Sequence, residues 1–248
     1  MNKCKLLSFI LGTCLLSAGC ASAETKNSRD ISDITPSVCA VPVTLPASLE
    51  PQRREIEADF SKALVRSIRF AKENNLESYW KCFIDRAQIY DSKKDFDRAM
   101  LAASGENPDT QVPKTFSAVL ENRVFMGVSP KLYAENCPKC VDTDYYEKII
   151  AHEIAHRLHV SILGGKEDDM GPVWFYEGFA VYAARQFENS TLAMTPSEML
   201  TVVDSPERGD YRSYLLVFKH LRTKASVPEL VSKARKKDFM DWVHEQIH

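Results

Sequence analysis

The stretch at residues 142–165, DTDYYEKIIAHEIAHRLHVSILGG, decides how this chain is read. At its centre stand His152, Glu153 and His156. Side chains four apart in an α-helix lie on one face, so both imidazoles can reach one metal ion, and the glutamate between them can take a proton from a metal-bound water. The segment also reads as a helix on its own terms. Asp142, Thr143 or Asp144 can cap its start, Glu147 puts negative charge in the first turn, and Ile149, Ile150, Ile154 and Leu158 recur at helical spacing. Gly164 and Gly165 close it.

A lone HExxH string arises by chance, so a further ligand is required. Downstream runs Gly171-Pro172-Val173-Trp174-Phe175-Tyr176-Glu177-Gly178-Phe179-Ala180. Pro172 suits the first turn of a second helix, and Glu177 projects from the next turn. A carboxylate from that helix completes a set of two histidines and one glutamate, leaving a fourth position for water. His159 shares the helical face of His152 but stands about 10 Å further along the axis at 1.5 Å per residue, so it is read as a neighbour, not a ligand.

HEIAH followed by WFYEGFAVY resembles the gluzincin metallopeptidases, especially their aminopeptidase N-like, peptidase MA-like branch. The resemblance covers about a quarter of the chain. It implies one zinc ion per chain, held by His152, His156 and Glu177, with Glu153 as general base. Twenty residues separate His156 from Glu177, slightly more than that family uses, and the loop with Gly164, Gly165 and Gly171 can absorb the excess. In the same family a tyrosine opening a later helix donates to the developing oxyanion. In Asp210-Tyr211-Arg212-Ser213-Tyr214-Leu215-Leu216-Val217-Phe218-Lys219-His220-Leu221 that residue is Tyr211, with Tyr214 one turn on as the alternative. Zinc suits the ligand set, although cobalt or manganese can replace it in vitro.

The fold implied is a compact α+β zincin-like metalloprotease domain, with a small sheet on one side, active-site helices on the other and a cleft between. An edge strand of the sheet, with Val124 to Val128 as the candidate, would hold substrate as an added strand. The function implied is an exported zinc-dependent peptidase acting on peptide or protein substrates. A catalytically inactive envelope binding or scaffold lipoprotein is the alternative. The Gly-x-Met-Glu-Asn string by which aminopeptidases of this family grip a free N-terminus does not occur here. An endopeptidase, or a peptidase for an unusual substrate such as cell-wall peptide, fits as well.

The 248 residues, 44% hydrophobic, suit a single domain with a proper core. Residues 1–23 read as a bacterial export leader. Lys3 and Lys5 precede a short apolar run, Leu6 to Leu16, and Ala21-Ser22-Ala23 offers a cleavage site. Leu16-Ser17-Ala18-Gly19-Cys20 resembles a lipobox, so lipidation of Cys20 and membrane attachment stand beside simple cleavage. The location is then the cell envelope, periplasmic or lipid-anchored. The chain's net charge of −2 becomes −4 without Lys3 and Lys5, which argues against a nucleic-acid binder. Oligomeric state is not legible.

Beyond the leader four cysteines remain, Cys39, Cys82, Cys137 and Cys140. In an exported chain they suggest two disulfides with three possible connectivities. Cys137-Pro138-Lys139-Cys140 most simply closes on itself, leaving Cys39 for Cys82. Residues 24–50 read as a flexible arm and 51–248 as the domain. Amphipathic helices are expected over about 51–74, around Phe96 to Ala103, after the Thr195-Pro196-Ser197-Glu198 capping box, and from Pro228 to Ile247. The runs Thr115 to Glu121 and Arg123 to Val128 suggest a hairpin or a bent strand about Asn122.

Overall fold

The computed structural model describes residues 39–248. The leader, with Cys20, and residues 24–38 of the expected arm lie outside the described residues. Residues 39–50, expected as the end of that arm, instead belong to the domain. Cys39, Val43 and Leu49 are buried, and Val43–Thr44 forms strand β1. What holds this segment is the disulfide from Cys39 to Cys82, together with pairing of β1 to β2 (Arg86–Tyr90).

Among the described residues the fold is α+β, with nine α-helices and one four-stranded mixed sheet in the order β1-β2-β4-β3. β1 and β2 are parallel, β2 and β4 (Val124–Val128) are parallel, and β3 (Ala118–Glu121) runs antiparallel to β4. β3 and β4 form the expected hairpin. Its two turn residues, Asn122 and Arg123, both have positive φ (48° and 65°), the left-handed geometry that matches the twist of paired strands. Arg123 is steadied there by Asp85, whose Oδ2 accepts from Nε at 2.7 Å.

The sheet corrects one expectation. Val124 to Val128 is not an edge strand, because β2 occupies its second side; the edges are β1 and β3, and β3 also packs against the helix carrying the histidines. The sequence does not show this, because β2 is a short run, RAQIY, with only two buried side chains.

Helices cover both faces of the sheet. Phe60 of α1 (Arg53–Glu73) meets Phe125 edge-on at 5.1 Å, and Phe96 of α2 (Lys93–Ser104) meets Tyr90 at 6.2 Å on the opposite face. After α3 (Pro130–Asn136) and the Cys137–Cys140 disulfide comes α4 (Tyr145–Ile162). α4 is buried around most of its girth, including Glu147 and Lys148. Each of these charges has a partner, Arg66 Nε donating to Glu147 at 2.8 Å and Lys148 Nζ to Asp142 at 2.8 Å, as burial demands. Asp142, Thr143 and Asp144 were candidate caps for α4. Asp144 holds the N-cap place with positive φ but makes no side-chain cap, and Asp142 serves Lys148 instead.

α5 (Val173–Ala183) starts just after Pro172, α6 (Pro196–Asp204) opens with the expected capping box, and α7 (Tyr211–Arg222) lies against α5. The single helix expected over Pro228 to Ile247 is two, α8 (Val227–Ala234) and α9 (Phe239–Ile247). The break at 235–238 lets the second apolar stripe turn inward, laying Phe239 over Trp174 at 5.8 Å. No described helix is long and apolar enough to cross a membrane.

Gly178 sets the α5–α7 spacing. A Cβ built there would lie 2.9 Å from the Tyr214 carbonyl oxygen and 3.2 Å from Phe218 Cβ, so the two helices touch through backbone. Gly178→Ala is therefore expected to destabilise the domain by about 1–3 kcal/mol through overpacking, measured by urea unfolding; an unchanged midpoint would contradict this contact.

Candidate metal centre

Two helices meet at one point. α4 presents His152 and His156 one turn apart, and α5 presents Glu177 across from them. His152 Nε2 lies 3.1 Å from Glu177 Oε2 and 3.1 Å from His156 Nε2, and His156 Nε2 lies 3.6 Å from Glu177 Oε2. Tetrahedral bonds of about 2.0–2.1 Å place ligand atoms about 3.3–3.4 Å apart. The three atoms thus have the spacing of one face of such a tetrahedron. Together they are a group that can hold a metal ion.

Glu177 is 1% exposed. Burial would raise its carboxyl, but His156, His152 and Arg208 hold it well below the usual carboxylate range. Glu153, between the histidines, is raised by burial, with the two imidazoles pulling the other way.

The ligand set has supports that carry no sequence motif. Gln186 is buried, and its Oε1 lies 2.8 Å from His152 Nδ1. An amide oxygen accepts, so the proton sits on Nδ1 and Nε2 is left with a lone pair turned to the metal position. Gln186 stands between Arg185 and Phe187, both with φ of 55°. Left-handed backbone costs a non-glycine residue about 1–2 kcal/mol. Here it points the amide inward, and the Phe187 N–H is fixed on Asp142 at 3.1 Å. Nothing in the run AARQFEN announces this role; only the positive φ values single it out.

Of the two tyrosines, Tyr211 faces the centre. Its ring stacks on that of His152 at 5.8 Å and 3°, whereas Tyr214 is buried behind it with its hydroxyl against the Gly209 N–H. Burial, then the Glu177 charge, push the Tyr211 phenol well above its ordinary range. Arg208, also unmarked in the sequence, joins the two. It is ion-paired with Glu177 and donates to the Tyr211 hydroxyl.

His159 stands apart from the ligands, as expected. It is fully buried, with ring centroids 4.7 Å from Phe179 and 5.8 Å from Phe175, and neither ring nitrogen has a hydrogen-bond partner among the described residues. A separate hollow of about 340 Å³, lined by α1, the start of α4 and the end of α5, includes none of the ligands. Comparison of the chain with protein families, curated proteins and solved structures finds no match.

Two predictions follow from this geometry. Gln186→Leu should weaken metal binding at this group about 10–100-fold in chelator competition, and unchanged affinity would remove Gln186 from the ligand support. Burial holds His159 down to about 3 from an ordinary 6.5. A depressed imidazole gives stability that is complete above the unfolded value and is lost as pH falls towards the folded one. Wild type should therefore lose about 2 kcal/mol between pH 7 and 5 that His159→Leu keeps, read from urea unfolding at both pH values.

Proposed function

We propose that this chain is a zinc peptidase of the gluzincin type, with a zincin-like domain, working in the bacterial cell envelope. The observation that carries the reading is the set of ligand spacings, 3.1, 3.1 and 3.6 Å, formed by two histidines of an HExxH helix and a glutamate of a second helix. Zinc bound there would polarise a peptide carbonyl and bring a water's pKa towards neutrality. The chain's own groups supply the rest. Glu153 takes the water's proton and returns it to the leaving amine. The Tyr211 O–H donates to the carbonyl oxygen as its charge grows, and Gln186 keeps His152 in the tautomer that binds metal.

β3 is an edge strand packed against α4, which supports binding of an extended peptide or protein substrate as an added strand. Two disulfides support an oxidising compartment, in keeping with export and with anchoring through Cys20.

The test compares wild type with Glu153→Gln for metal content and hydrolysis of a mixed peptide library. Zinc at one per chain in both is expected, with hydrolysis lower in the variant by about 10²–10⁴. Zinc in both with no cleavage by wild type would favour the inactive binding or scaffold protein. Failure of metal-loaded wild type to retain zinc would sink the reading.

A further inference from the structure

Arg208 comes from the exposed 205–210 loop between α6 and α7, yet its guanidinium reaches back to the metal centre. It donates to the Tyr211 oxygen from Nη2 at 2.7 Å and from Nε at 3.2 Å, and its Cζ lies 5.5 Å from the centre of the tyrosine ring. The same Nη2 pairs with Glu177 Oε1. One side chain therefore spans a ligand and the candidate oxyanion donor.

The hydrogen-bond inventory gives this contact a direction. A phenol oxygen has one hydrogen to donate and lone pairs to accept with, whereas a guanidinium has donors only. Two N–H groups from Arg208 take up the accepting side of Tyr211, so the phenolic hydrogen cannot point at Arg208. The ring is held between neighbours, parallel to His152 with centroids 5.8 Å apart at 3° and backed by Tyr214 at 5.9 Å. What remains to the O–H is the side of the ligands, where the Glu177 carboxylate accepts its hydrogen bond.

Resting on the metal-centre reading above, we propose that Arg208 is the positioning residue for Tyr211: by filling the acceptor side of the phenol it turns the O–H towards the metal centre, as donor to the substrate's carbonyl oxygen. Arg208 is then a specific requirement of the donor, and its contact with Glu177 anchors the guanidinium at the right depth.

A double-mutant cycle tests this, using metal-loaded full-length protein with Arg208→Gln, Tyr211→Phe and the pair. Two readouts are used, peptide hydrolysis as kcat/KM and, without turnover, acetohydroxamate binding to the cobalt-loaded protein followed through the cobalt absorption bands. Tyr211→Phe should cost about 10²–10³ in kcat/KM, the range for loss of an oxyanion donor. Arg208→Gln should cost about 10–100, as loss of an outer support does. The pair should be no worse than Tyr211→Phe alone, and hydroxamate affinity should show the same non-additivity. Arg208→Lys, which keeps a charge beside Glu177 but not the fork, should retain metal affinity and lose most of the tyrosine-dependent effect.

Losses that multiply in both readouts would overturn the proposal, as would an Arg208→Gln effect confined to metal affinity, since Arg208 would then act through Glu177. If wild type hydrolyses nothing while the hydroxamate cycle is non-additive, the peptidase reading falls and the role of Arg208 stands. If wild type retains neither zinc nor cobalt, both fall.

Discussion

A carboxylate buried to 1% exposure is the constraint from which the rest of this structure follows. Glu177 sits in the middle of α5, a helix otherwise made of the aromatic residues Trp174, Phe175, Tyr176, Phe179 and Tyr182 and of small apolar residues. A charge removed from water costs several kcal/mol unless partners surround it. Here α4 brings two imidazoles, the 205–210 loop brings Arg208, and α7 brings Tyr211 close enough to feel the charge. The packing of α5 between α4 and α7 positions these partners as well as forming the core. Fold and site are one arrangement, because the carboxylate that would bind metal is also the charge that the surrounding elements must answer.

The same arrangement explains what was legible in the sequence. α4 and α5 carry their chemistry at helical spacing, so His152, Glu153, His156 and Glu177 can be placed on one site from residue type and interval, whereas Tyr211 is reached only through the resemblance to the gluzincin family, with Tyr214 as the alternative. The short strands β1 and β2 escape notice because two and five residues leave no periodic signal, and with them goes the strand order that makes β4 an inner strand. Gln186 and Arg208 escape for a different reason. Their roles come from backbone turns and long side chains reaching across the fold, and neither leaves an interval in the sequence. The end of α8 is a matter of phase: the stripe through Leu230, Val231 and Ala234 and that through Phe239, Val243 and Ile247 each serve one short helix.

Near α4 the buried charges are answered one to one, Glu147 by Arg66 and Lys148 by Asp142. His159 is the exception, a neutral imidazole enclosed by phenylalanine rings. Lying one turn beyond His156, it extends the polar face of α4 into the core without adding charge to it. The ligand face of α4 therefore ends against an apolar wall.

Gly178 has a consequence for dynamics. Because α5 and α7 touch backbone to backbone, with Phe175, Phe179 and Phe218 interlocked beside the contact, neither helix can shift without opening the core. Amides along α5 should then exchange with solvent only through global opening, while those of the exposed 205–210 loop exchange through local fluctuation. The ligands would keep their spacing for as long as the domain stays folded, and the arm bearing Arg208 would be the one moving part of the site. Any slow opening and closing there would release Tyr211 from Arg208 and leave His152, His156 and Glu177 at rest.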